Sequence, residues 1–209
     1  MMKKMTVVLA SRNAGKVKEL QALLDSLLGD VVELKSLEDV GITEEIEENG
    51  TTFEENAMIK ASVAARSGYP GLADDSGLVV RALDMAPGIH SARYAGVHGD
   101  DAANNALLLK NLEGVRDRAA AFVCSIAMVF PDGSAPIRAS GAVEGEILVS
   151  PRGKGGFGYD PLFWYDPMGK TLAEMSKEEK NEISHRGAAM RQFARKFARR
   201  MGLIEDDGE

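Results

Sequence analysis

An α/β fold built on a mixed β-sheet is predicted by three features of the chain. Residues 5–34 read as strand, tight turn, helix and strand, the opening unit of an α/β sheet. Two long β-like runs, 119–130 and 137–149, are joined by Pro131-Asp132-Gly133-Ser134, a hairpin signal that a purely parallel sheet would not contain. The intervening segments carry apolar residues at helical spacing and stop at glycines.

The elements follow in order. Residues 5–10 form the first strand, and the turn Ser11-Arg12-Asn13-Ala14-Gly15 leads into a helix whose apolar stripe is Val17, Leu20, Leu24, Leu27 and Leu28, closed by Gly29. Residues 31–34 make the second strand, and 38–50 are acidic and irregular. A helix then starts at Thr51 or Thr52, since Thr51-x-x-Glu54 and Thr52-x-x-Glu55 both have the capping-box spacing. Its buried side carries Phe53, Ala57, Met58, Ala61 and Ala64 or Ala65. Two short strands, 71–74 and 78–83, are expected on either side of Asp75-Ser76-Gly77. Asp100 caps a helix that runs to Leu112 and stops at Gly114. After the hairpin, 150–160 is a glycine-rich loop and 159–164 is extended. Ser176 caps a short helical turn, and Ser184 begins the last helix, with Ala189, Phe193, Phe197 and Met201 on one face and Arg191, Arg195 and Arg199 on another. With no repeat and no long linker, residues 1–209 are expected to form one domain, frayed over 205–209.

Composition limits the function. The chain has 209 residues, 44% of them hydrophobic, enough to bury a core without staples. Its one cysteine, Cys124, sits among apolar neighbours, which makes it a buried thiol and points to a reducing, cytoplasmic setting. No apolar run approaches the roughly 20 residues that span a bilayer, so no membrane partner is expected. A formal net charge of −7 argues against a nucleic-acid polymer as partner. It still permits a small anion, because salt screens charge beyond about 8 Å and the local pocket decides. Three histidines without zinc-ligand spacing speak against a zinc site, and the absence of Gly-x-Ser-x-Gly speaks against a serine hydrolase.

Four polar segments stand where a scaffold would only turn. Ser11-Arg12-Asn13-Ala14-Gly15-Lys16 lies between a strand and a helix, where free backbone N–H groups and a lysine suit a phosphate; an ordinary capped turn with a solvated Lys16 is the other reading. Asp74-Asp75-Ser76-Gly77 offers hard carboxylate ligands for magnesium, or an Asp-rich turn. Adjacent strand residues face opposite ways, so one of the two carboxylates is expected in any one site. Gly153-Lys154-Gly155-Gly156-Phe157-Gly158-Tyr159-Asp160 contains Gly-x-Gly-x-x-Gly, but Pro161 blocks the helix that a dinucleotide fingerprint requires. A base could stack on Phe157, or Phe157 could pack inward. Lys180 through Gly187 places His185 and Arg186 in the first turn of the last helix, where cations oppose the helix dipole; an anion to bind or a solvated basic turn would explain them.

Taken in this order, the segments resemble the inosine triphosphate pyrophosphatase family. The matching motifs are Ser11, Asn13 and Lys16; Glu47 through Ala61; Ala-Asp-Asp-Ser-Gly-Leu at 73–78; Pro-Gly-x-x-Ser-Ala-Arg-Tyr at 87–94; Gly-Gly-Phe-Gly-Tyr-Asp-Pro at 155–161; and Glu-Glu-Lys-x-x-Ile-Ser-His-Arg-Gly at 178–187. They are collinear over nearly the whole chain. The resemblance implies a two-lobed α/β fold with a long mixed β-sheet flanked by helices, a cleft between lobes, and a homodimer. It implies one or more magnesium ions per subunit and hydrolysis of inosine, deoxyinosine and xanthosine triphosphates to the monophosphate and pyrophosphate. It assigns the phosphates to Ser11, Arg12, Asn13, Ala14, Gly15, Lys16 and Lys60. Metal binding falls to Glu47 and Asp75, and the general base to Asp75. Ser76 touches the substrate, while Phe157, Gly158, Tyr159, Asp160, Lys180, His185 and Arg186 hold the base and its neighbouring groups. The acidic stretch also carries Glu44, Glu45 and Glu48. Two rivals are a pyrimidine triphosphate pyrophosphatase of the Maf-like kind and a non-enzymatic nucleotide-binding module.

Overall fold

The computed structural model describes residues 4–205, so most of the tail expected to fray over 205–209 lies outside the described residues. In chain order the elements are β1 (Met5–Leu9), α1 (Ala14–Leu28), β2 (Val32–Lys35), α2 (Phe53–Ala65), β3 (Gly71–Val80), α3 (Asp101–Asn111), β4 (Ala119–Val129), β5 (Ile137–Ile147), β6 (Phe163–Tyr165), β7 (Lys170–Thr171), α4 (Lys177–Ile183) and α5 (His185–Arg200). The described strands form one sheet in the order β2-β1-β3-β4-β5-β6-β7. β1 runs parallel to β2 and β3, while β6 is antiparallel to both β5 and β7. The mixed α/β sheet expected from the sequence is therefore present.

Contacts divide the chain into two compact units. Of the described residues, unit 1 holds those up to Asp75, Ser125–Gly141 and those from Ala188 onward. Where α2 meets the sheet the contact is made by small side chains: Ala57 and Ala61 of α2 pack on Ala73 and Ala127, and Ala64 packs on Val8 and Leu37. Small residues let α2 approach β3 closely. A Cβ on Gly71 would stand 2.1 Å from the carbonyl oxygen of Ala61, so glycine is required at that contact. Unit 2 holds Ser76–Cys124 and Ala142–Gly187. Its core gathers Leu78, Leu108, Val143, Leu162 and Phe163. Phe163 is 0% exposed, and burying a side chain of that size is worth about 1.5–3 kcal/mol.

Several local expectations are corrected. Asp75-Ser76-Gly77 is not a turn: β3 runs unbroken from Gly71 to Val80, and only Asp75 and Ser76 are half-buried in an otherwise buried strand. Turn chemistry is overridden there because the apolar flanks Leu72-Ala73 and Leu78-Val79-Val80 are all drawn into the core. The strand then gives way to a short 3-10 turn at Arg81–Leu83. At the start of α2, Thr52 is the cap and accepts from the Glu55 N–H at 3.1 Å. The Glu55 carboxylate accepts from the N–H and hydroxyl of Thr51, and Glu54 pairs with Arg138, so the Thr51–Glu54 box does not form. On α1, Leu20 and Leu24 are buried while Leu27 is exposed. Residues 158–162 form a turn, and extended backbone begins at Phe163. Cys124 is buried, as its neighbours imply.

Candidate active site

The unit 1 residues gather around the two adjacent carboxylates of β3. The register Val8↔Gly71 and Leu9↔Leu72, with Ala10 N–H donating to the Leu72 carbonyl at 2.8 Å, carries the turn after β1 alongside Asp74. In that turn Asn13 caps α1: its Oδ1 accepts from the N–H groups of Gly15 at 2.9 Å and Lys16 at 3.2 Å, and its own N–H donates to Ser11 Oγ at 3.1 Å. These N–H groups are therefore engaged by the cap, which corrects the expectation of a ready cradle of free amides. Ala14 is exposed at the helix start, and the Arg12 guanidinium donates to the Glu44 carbonyl. Lys16 is not merely solvated. Its Nζ stands 2.6 Å from Asp74 Oδ1, and the Asp74 side chain is 5% exposed.

Asp75 finds different partners, as strand alternation requires. Lys60 Nζ donates to Asp75 Oδ1 at 2.9 Å and to Glu48 Oε2 at 3.1 Å. Asn56 lies one helical turn before Lys60 on the same face of α2. It donates to Asp75 Oδ2 at 3.3 Å, while its own Oδ1 accepts the Gly50 N–H at 2.9 Å, tying the end of the acidic loop to the strand. Burial raises the Asp75 carboxyl above its ordinary value and Glu48 adds to the rise, although Lys60 and Asn56 pull the other way. Burial acts to lower the Lys60 ammonium, but Asp75 and Glu48 together outweigh it and the net shift is upward. Asn56 was not singled out by sequence reasoning, and its i, i+4 spacing from Lys60 was the available signal; Glu48 is one of the glutamates, with Glu44, Glu45 and Glu47, among which the acidic stretch left metal binding open. Glu47 is exposed in the irregular segment, and Glu48 is the glutamate that reaches Lys60.

The donor set fits a hard divalent cation. Asp75 Oδ2 receives a long bond from Asn56, so it keeps lone pairs for a cation, and Glu48, which shares Lys60 with Asp75, is a second carboxylate of the cluster. Among the described residues no three His, Cys, Asp or Glu side chains are grouped to hold a metal ion by themselves.

The unit 2 residues centre on the glycine-rich loop. The Phe157 ring is 72% exposed, which corrects the inward-packing alternative, and Lys180 Nζ lies 4.7 Å from its centroid. Lys180 also pairs with Asp160, whose side chain is 4% exposed and whose Oδ2 accepts the Phe157 N–H at 2.9 Å. Gly156, at φ +74°, passes so close to this carboxylate that a Cβ would meet Asp160 Oδ2 at 2.1 Å. Tyr159 is buried, donates to the Ser91 carbonyl at 2.8 Å, and has its phenol pKa pushed upward chiefly by burial. His185 opens α5, with Ser184 Oγ accepting the Gly187 N–H at 3.3 Å, and its ring stacks on Phe122 at 5.3 Å and 16°. Phe122 was not anticipated. Arg186 and Ser76 are half-buried. The structure thus joins Lys16 to Asp74, joins Lys60 to Asp75 and Glu48, and joins Phe157 to Lys180 and Asp160.

Comparison with known proteins yields consistent matches. The model of the Ham1 family matches residues 7–196. A dITP/XTP pyrophosphatase of Syntrophobacter fumaroxidans is 53% identical over 192 residues, 91% of this chain and 81% of that protein. One of Geobacter sulfurreducens is 54% identical over 187 residues, 88% of this chain and 92% of that protein. The solved Ham1 protein of Staphylococcus aureus superposes with a TM-score of 0.86 at 39% identity, covering 95% of this chain and all of that one.

Proposed function

Since the chain belongs to the Ham1 family, we propose that it hydrolyses non-standard purine nucleoside triphosphates, dITP, ITP and XTP, to the monophosphate and pyrophosphate. The observation that carries this reading is the Lys60 ammonium held between Asp75 and Glu48 in a partly desolvated site. Such a cluster sets opposite charges in place before a triphosphate and its counter-cation arrive, so little reorganisation is needed during reaction.

Lys16 and Lys60 present point charges for phosphate oxygens, with Ser11, Arg12, Asn13, Ala14 and Gly15 shaping the turn beside them. Asp75 and Glu47 would hold magnesium, with Glu48 keeping Lys60 oriented. When bound, the cation neutralises phosphate charge and polarises the phosphoryl oxygens. The raised carboxyl of Asp75 suits a general base, which works best when its pKa lies nearer the operating pH. Ser76, next along β3, contacts substrate.

Base selection falls to unit 2. Hypoxanthine and xanthine carry a 6-oxo group and a ring N–H where adenine has an amino group and an acceptor. Phe157 offers an open face for stacking, Asp160 and Lys180 fix the loop, Gly158 and Tyr159 shape it, and His185 and Arg186 read the 6-oxo edge. A dry site matched to that pattern leaves groups unpaired against adenine, which discriminates strongly. Guanine differs by its 2-amino group and is excluded by steric conflict and unmet hydrogen bonds. The resemblance further assigns a homodimer working in the cytoplasm; among the described residues, no helix is long and apolar enough to cross a membrane.

A panel of ITP, dITP, XTP, ATP and GTP with magnesium tests this reading. Monophosphate and pyrophosphate are expected in equal amounts from the first three, and Asp75→Asn is expected to abolish release while staying folded. Equal turnover of ATP and ITP contradicts it.

A further inference from the structure

Gly158 has no side chain, yet both of its backbone polar groups are held by one helix. Its N–H donates to Asp101 Oδ2 at 2.7 Å, and its carbonyl accepts from Asn105 Nδ2 at 2.8 Å. Asp101 and Asn105 are four apart at the start of α3, on one face, and the same Asn105 amide also donates to the Asp101 carbonyl at 2.8 Å. Asp100 caps this turn through the Ala103 N–H at 3.0 Å, so the two side chains stand on an ordered helix end. Gly158 lies at φ +60°, a left-handed conformation that glycine adopts without steric cost. It joins the exposed ring of Phe157 to the buried ring of Tyr159.

We propose that Asp101 and Asn105 are positioning residues for base recognition: they clamp the Gly158 peptide and so set the plane in which Phe157 meets the purine. This inference rests on the reading of the loop as the base-handling element. A purely structural role would leave a different trace. Asn105 Oδ1 is buried with no hydrogen-bond partner among the described residues, and its amide cannot be usefully flipped because both contacts of Nδ2 are carbonyls. The orphan acceptor offsets part of what the two amide bonds of Asn105 contribute to stability, and the contribution that reaches beyond α3 is the bond to Gly158. Neighbouring Asn104 does comparable work elsewhere, accepting the Ala95 N–H at 2.8 Å, which makes α3 the strut behind two loops of unit 2.

The test uses the full chain with Asp101→Ala, Asn105→Ala and Asp101→Asn. Each alanine variant is expected to raise KM for ITP about tenfold, the weight of one lost positioning hydrogen bond, with kcat retained. The ratio of kcat/KM for ITP over GTP is expected to fall by a similar factor. Asp101→Asn, which keeps an oxygen for the Gly158 N–H, is expected to recover most of both. Amide hydrogen exchange at Gly158 is expected to quicken in Asp101→Ala, while the melting temperature of Asn105→Ala stays near that of the parent. Unchanged KM and selectivity, or unchanged exchange at Gly158, overturns the clamp. Should the parent chain release no pyrophosphate from ITP, the functional reading fails, and the exchange measurement still decides whether the clamp exists.

Discussion

Asp75 Oδ1 and Lys60 Nζ lie 2.9 Å apart, and Glu48 holds the same ammonium from its other side at 3.1 Å. The three charges are coupled, and the negative charge of Glu48 is one of the causes that raise the Asp75 carboxyl. Glu48→Gln is therefore predicted to lower the Asp75 pKa toward its usual value of 3.8, measured by carbon-13 NMR titration of metal-free protein. The sign follows: removing a neighbouring anion favours the ionised form. A rise on substitution would contradict the coupling. In the parent protein, activity that depends on ionised Asp75 is lost as pH falls through this raised pKa.

Lys16 covers a carboxylate that is almost fully buried. Lys16→Met is predicted to destabilise the fold by about 1–3 kcal/mol in urea unfolding, because a buried charged acceptor loses a partner. Adding Asp74→Asn to that variant is predicted to recover part of the loss. Additive losses in the double variant would show that the two residues do not act as a pair.

Gly71 permits the close approach of α2 that lets Lys60 and Asn56 reach Asp75. A Cβ there would also meet the Ala65 nitrogen at 2.6 Å, which is backbone and cannot swing aside. Gly71→Ala is predicted to cost about 3 kcal/mol and to lower turnover in proportion to the displacement of Lys60. A stable, fully active variant would mean that the contact is soft.

Phe157 is exposed, so Phe157→Ala is predicted to leave the melting temperature unchanged while raising KM for ITP about tenfold, within the 1–3 kcal/mol that a base–aromatic stack supplies. Core Phe163 is its counterpart: Phe163→Ala is predicted to cost about 3–5 kcal/mol of stability. An unchanged KM in Phe157→Ala would remove the ring from base recognition.

Much of this was legible locally. Periodicity placed α1, α2, α3 and α5, and capping residues the starts of the last three, because apolar spacing and caps act within a few positions of the chain. The hairpin signal correctly implied a mixed sheet. What failed were positions where tertiary burial overrides local chemistry. Asp75-Ser76-Gly77 has good turn residues, yet burial of the flanking leucines and valines draws it into β3. The amides of Gly15 and Lys16 are a different case: the Asn13 cap that takes both is local, and the cap spacing was there to be read. Phe157 could face either way from sequence, since the Lys180 ammonium beside its ring comes from a distant helix. The contacts of Gly158 with Asp101 and Asn105 span more than fifty positions and leave no local pattern at all.

The central claim is that this chain breaks the bond between the first and second phosphates of a triphosphate bearing a 6-oxo purine. Phosphorus-31 NMR of dITP with magnesium and the enzyme tests it directly. Deoxyinosine monophosphate and pyrophosphate are expected as the only products; deoxyinosine diphosphate with orthophosphate would mean that the outer phosphate is removed instead.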